Sequence, residues 1–165
     1  MALKDKIQDA LKTALKQKKE VELSALRLLV SAISSKETEK RTKIWKQKPE
    51  TAADDLQKES RLIDEEILEV ISNEIKKRRE AADLYEKGGR PELADKEKKE
   101  MEVLRQYLPE QIREEEIKKL AKEAIATTGA KEIKDMGKVM QELMPKVKGK
   151  ADVGLVSKIV KESLS

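Results

Sequence analysis

The chain has 165 residues with no cysteine and no histidine; 42% of them are charged and only 2% are aromatic. Disulfides, thiolate metal sites and nucleophiles of the Cys-His or Ser-His-Asp type are therefore excluded. A core of Leu, Ile, Val, Met and Ala suits helices far better than a β-sandwich. No apolar run approaches the roughly 20 residues of a bilayer span, and no signal-type segment follows Met1, so a cytoplasmic protein with no membrane contact is expected.

The net charge of +4 is unevenly spread. Residues 1–48 carry 13 Lys/Arg against 6 Asp/Glu, residues 49–109 carry 12 against 17, and residues 110–165 carry 12 against 10. Basic ends around an acidic middle fit a polyanion partner, and equally fit self-association of complementary faces.

Leu3, Ile7, Leu11 and Leu15 recur every four residues and predict a first helix. Leu26, Leu29, Val30 and Ile33 predict a second, from near Glu20 and fading after Lys36. Residues 37–53 are basic with little periodicity, and Pro49 discourages helix before it, so a mobile link or frayed helix end is expected. Leu56, Ile63, Ile67, Val70, Ile71 and Ile75 mark one long amphipathic helix from Asp54 to about Glu86, with Glu74 and Arg78 spaced to pair along its surface. Gly88 or Gly89 can take the left-handed cap, and Pro91 suits the first turn of the next helix, which carries Leu93, Met101, Leu104 and Leu108. A link this short predicts an antiparallel hairpin.

After Pro109 the pattern shortens. Ile112, Ile117, Leu120, Ala124 and Ile125 predict a helix ended at Thr128 and Gly129. Asp135 is expected to cap a short helix stopped by Pro145, and Asp152 to cap a last helix through Val156, Ile159, Val160 and Leu164. The expectation is an all-α fold: an N-terminal helical domain over 1–109 and a three-helix domain over 110–165.

No self-contained catalytic site emerges, and no cofactor is expected. Asp64, Glu65 and Glu66 read as a solvated mid-helix face. Glu114, Glu115 and Glu116 read as first-turn acids at the positive end of a helix. Gly137 has no phosphate-cradling loop around it. Met136, Met140 and Met144 recur every four residues and read as core filling. Trp45 among Lys43, Lys46 and Lys48 could stack on a base, or equally fold back onto the helices.

The most concentrated signal lies between residues 134 and 152. Lys134 and Lys138 flank Gly137 near a helix start, and Lys146, Lys148 and Lys150 share a Pro/Gly-bounded link with Gly149. Lysines on such a link stay solvated and can face a polyanion. A solvated loop of a charge-rich protein explains the same spacing equally well.

Four ordered motifs, GGRPELADKE at 88–97, YLPEQ at 107–111, KDMGKVM at 134–140 and MPKVKGKAD at 144–152, resemble the GatB/YqeY family. The likeness is closest to its stand-alone YqeY-like members. The last third also resembles the tail of the B subunit of the glutamine-dependent aspartyl/glutamyl-tRNA amidotransferase. The resemblance implies an all-helical fold and a tail that contacts tRNA away from the catalytic centres. Its tail pattern carries over to Gly137, Val139, Met140, Lys146, Lys148, Gly149, Lys150 and Ala151, and the basic pattern itself adds Lys134 and Lys138 to the expected RNA-binding residues Gly137, Lys146, Lys148, Gly149 and Lys150. Segment 37–58 is longer than the family's link, so the resemblance gives Trp45 no role. A tRNA-binding accessory module is expected, acting with an amidotransferase or an aminoacyl-tRNA synthetase. The alternatives are a helical protein-interaction module without RNA and a genuine amidotransferase component.

Overall fold

A computed structural model describes residues 2–165. Among them the regular structure is helical: α1 (Leu3–Lys16), α2 (Glu20–Gln47), α3 (Ala53–Glu59), α4 (Asp64–Lys87), α5 (Pro91–Arg105), α6 (Glu114–Thr128), α7 (Met136–Val147) and α8 (Val153–Leu164), with a 3-10 turn at Ile133–Asp135. The all-α expectation holds. The helices fall into two compact units, one ending at Tyr107 and the other Leu108–Ser165.

In the first unit α4 and α5 form the antiparallel hairpin, and α2 packs on both, with α1 against α2 and α4. Gly89, at φ 69°, makes the left-handed step after α4, and Pro91 opens α5. On α1, Leu3 and Leu11 are half-buried and Ile7 is fully buried, but Leu15 is exposed and Ala14 takes its place. A strict four-residue spacing drifts about 40° per step on a helix of 3.6 residues per turn, so the stripe leaves the core by its fourth member.

Four expectations for this unit are corrected. The stretch read as a link over 37–53 is helical as far as Gln47, because α2 runs unbroken. Its polar half is tied to the rest of the unit: Glu37 receives Lys4 Nζ at 2.6 Å, and Lys40 reaches Glu66 at 2.7 Å. Lys, Glu and Arg are good helix formers once tertiary contacts supply the rest.

The long helix expected from Asp54 is interrupted between Glu59 and Asp64. Ser60 is buried there, with its hydroxyl accepting from Arg41 Nε at 3.3 Å, and the amide of Leu62 donates to Glu37 Oε1 at 3.2 Å. Asp64, Glu65 and Glu66 therefore lie in the first turn of α4, not mid-helix. Their work is capping: Glu66 Oε2 accepts from the amide of Ile63 at 2.9 Å, and Asp64 Oδ1 accepts from the amide of Leu3 at 3.0 Å.

The Glu74–Arg78 pair forms, but inside the protein. Arg78 is 4% exposed and lies between two carboxylates, with Nη1 at 2.8 Å from Glu74 Oε2 and Nε at 3.4 Å from Glu100 Oε2. Ser24 Oγ of α2 donates to Glu100 at 2.8 Å, so the cluster joins α2, α4 and α5. Burial pushes the Glu74 carboxyl up, yet hydrogen bonds from Lys77 and Arg78, with their charges, outweigh it and hold the group below its ordinary range. A carboxyl lowered on folding contributes stability that is complete above its unfolded pKa and lost as pH falls through the folded one. Glu74→Gln is thus expected to be less stable at neutral pH and to lose less further stability on acidification below about pH 4.5. Thermal midpoints of both proteins measured from pH 6 to pH 3 check this.

The second unit has its own core. Ile117, Ala121 and Ala124 of α6 meet Val139, Leu143 and Val147 of α7 and Val156, Ile159 and Val160 of α8. Met136, Met140 and Met144 pack against it half-buried, as their spacing predicts. Gly129, at φ 66°, ends α6 in the left-handed conformation. No helix among the described residues is long and apolar enough to cross a membrane.

Candidate nucleic-acid interface

The lysines singled out from the sequence all belong to the second unit and are exposed, but α7 separates them into two groups. Lys134 lies in the 3-10 turn and Lys138 in the first turn of α7. Lys146 lies in the last turn, and Lys148 and Lys150 follow it. From Lys138 to Lys146 the axis advances about 12 Å, so the two groups stand at opposite ends of one short helix.

At the first end, Asp135 does not cap α7 with its side chain as expected. Its Oδ2 instead accepts from the backbone amides of Lys131 at 3.1 Å and Glu132 at 3.3 Å, closing the 3-10 turn. Those two amides, aided by the charges of Lys138 and Lys134, hold its carboxyl below the ordinary range despite a small opposing effect of burial. Lys134 lies 2.8 Å from Glu132 and Lys138 3.8 Å from Asp135. Such exposed pairs are weak and exchange readily for another anion.

At the second end, Pro145 does not stop the helix. It lies inside α7, which continues to Val147, so Lys146 is helical and not on a link. Proline has no N–H to give the carbonyl four residues back, but one missing bond is tolerated in a last turn that the core holds down. Val147 is buried, and the amide of Lys148 donates to Met144 O at 2.9 Å. The result is an alternation: Lys146 outward, Val147 inward, Lys148 outward, Gly149 half-buried and Lys150 outward. Lys146 lies 3.6 Å from Glu142, one turn back.

Gly149 turns the chain with φ 73°. Its carbonyl accepts from Gln111 Nε2 at 2.9 Å, while the same nitrogen donates to Pro109 O at 2.8 Å. The amide of Ile112 donates to Lys150 O at 2.9 Å. The segment before α6 is thereby clipped to the lysine loop. Gln111 stands in one of the motifs read from the sequence, but only its neighbour Pro109 signalled a turn; its reach across 38 residues has no local signature. Asp152 caps α8 as expected, accepting from the amide of Gly154 at 2.9 Å.

The two glycines of the site differ. Gly137 is in the first turn of α7, and a Cβ there would meet nothing within 4 Å. Gly149 holds a conformation that costs an L-residue about 1 to 2 kcal/mol. Gly137→Ala is expected to raise the thermal midpoint of the second unit slightly through helix propensity, and Gly149→Ala to lower it by several degrees. Calorimetry on both variants checks the opposite signs.

An all-helical protein of two units, the second bearing exposed lysines at both ends of a short helix, is the class that this fold and surface define. The YqeY family model, described as Yqey-like protein, matches residues 4–164, and the chain belongs to that family. An uncharacterised protein of Schizosaccharomyces pombe, C22F3.15, is similar to it, with 43% identity over 47 residues. That match spans 28% of this chain and 38% of the yeast protein.

Proposed function

We propose that the protein is a tRNA-binding accessory module that meets folded tRNA through Lys134, Lys138, Lys146, Lys148 and Lys150 beside Gly137 and Gly149. The observation that carries the reading is the alternation at 146–150, where a buried valine and a clipped glycine fix the backbone while every lysine faces solvent. Cations held this way contact phosphate with less ordering cost than cations on a free loop. Little in the set can read base edges, so recognition rests mainly on phosphate and on RNA shape.

In this reading the module acts with an amidotransferase or an aminoacyl-tRNA synthetase, as the motifs of the tail suggest, and that partner supplies the chemistry. The test is fluorescence anisotropy with folded tRNA at two salt concentrations, with duplex DNA of equal charge alongside. Saturable, salt-dependent binding that prefers tRNA supports the reading. Equal binding to both, or none, overturns it.

A further inference from the structure

Tryptophan is usually well covered in a folded chain, yet the single Trp of this protein is 53% exposed on the second half of α2. Its neighbour Ile44 is half-buried, and α3 packs on α2. The helix is thus anchored by a different face, and Trp45 is left in solvent. From Lys40 to Lys48 the sequence holds five cations and no carboxylate. Lys40 is engaged by Glu66, and Lys43 lines the groove between α2 and α4.

The other three lie within four residues of Trp45 in sequence. Arg41 sits one turn earlier on nearly the same face, with Nε on Ser60 Oγ at 3.3 Å. Lys46 follows directly, and Lys48 is the residue at which the helix ends. Among the described residues neither Lys46 nor Lys48 has a carboxylate within 4.0 Å. An indole face with nearby cations, two of which have no carboxylate within 4.0 Å, has the chemistry of a stacking platform for a nucleobase with its phosphates held alongside.

We infer that the C-terminal half of α2 is a second nucleic-acid contact, in which Trp45 stacks on an unpaired base of a single strand while Arg41, Lys46 and Lys48 hold its phosphates. This goes beyond the proposed role of the C-terminal lysines and uses none of them. It requires an unpaired base, because a duplex offers no free face to the indole.

Because Trp45 is the protein's single Trp, its fluorescence reports on this position directly. The experiment titrates the full chain with unlabelled 12-nucleotide oligo-U and oligo-dT, using N-acetyltryptophanamide to correct for absorbance. Saturable quenching reversed by salt is the expected result; the ratio of the two affinities tells RNA from DNA. Lys46→Ala/Lys48→Ala should weaken binding roughly tenfold. Trp45→Leu should weaken it by a similar factor when labelled oligonucleotide is followed by anisotropy. Quenching should persist in Lys146→Ala/Lys148→Ala/Lys150→Ala, so failure of the C-terminal reading and failure of this one are separable. Absence of quenching overturns the inference, as does Trp45→Leu binding as tightly as the parent. Circular dichroism of each variant confirms that the helices remain.

Discussion

Replacing Arg78 with methionine will destabilise the first unit by about 3 to 5 kcal/mol, the characteristic cost of removing one partner from a buried ion pair. Arg78 is the cation between Glu74 and Glu100, and all three residues are buried. Without it Glu74 keeps Lys77 at 2.8 Å, on a side chain that is largely solvated. Glu100, 2% exposed, keeps the hydroxyl of Ser24. A hydroxyl does not neutralise a buried carboxylate, so the penalty falls mainly on Glu100.

The penalty belongs to the broken cluster more than to the intact one. Arg78 Nε faces Glu100 at 3.4 Å without an aligned hydrogen bond, and Nη2 has no partner. Hence Arg78→Met/Glu100→Leu should recover a substantial part of the loss, since an apolar pair asks for no compensation. Urea denaturation followed by circular dichroism measures both. If the double variant is as unstable as the single one, the shape of the cluster matters more than its charge.

The second large effect concerns binding. Lys146→Ala/Lys148→Ala/Lys150→Ala should fold with a near-native thermal midpoint, because all three side chains are exposed and Val147 is retained. Its affinity for folded tRNA should fall tenfold or more at moderate salt. The more specific reading is the salt slope: if each lysine neutralises one phosphate, the slope of log K against log salt shrinks by roughly 2 to 3. An unchanged slope would remove these residues from the interface.

Much of the fold was legible in the sequence because it rests on local rules. Gly89, Pro91, Gly129 and Asp152 mark helix ends through backbone preference and capping, and each does so in the structure. What was misread depended on contacts distant in sequence. The second half of α2 has weak apolar periodicity and is held by Lys4 and Glu66, 33 and 26 residues away from their partners. The interruption before α4 depends on Glu37 and Arg41 from another helix.

The buried cluster leaves a trace in the sequence. Arg78 continues the inward row of Ile71 and Ile75, and Glu100 stands beside Met101 on the inward row through Leu104. A charge on an apolar stripe announces either a buried pair or a wrong stripe. At the lysine site the residue types were legible, but the extent of α7 was not. Pro145 is a local helix-stop signal, whereas the burial of Val147 that carries α7 past it depends on the core.

The clip formed by Pro109, Gln111 and Ile112 on Gly149 and Lys150 has a consequence for inheritance. Every hydrogen bond just described that shapes the lysine loop is made among residues of one uninterrupted segment, Leu108–Ser165. A single recombination event upstream of Leu108 would move the loop together with the parts that shape it. A unit built this way is portable between genes.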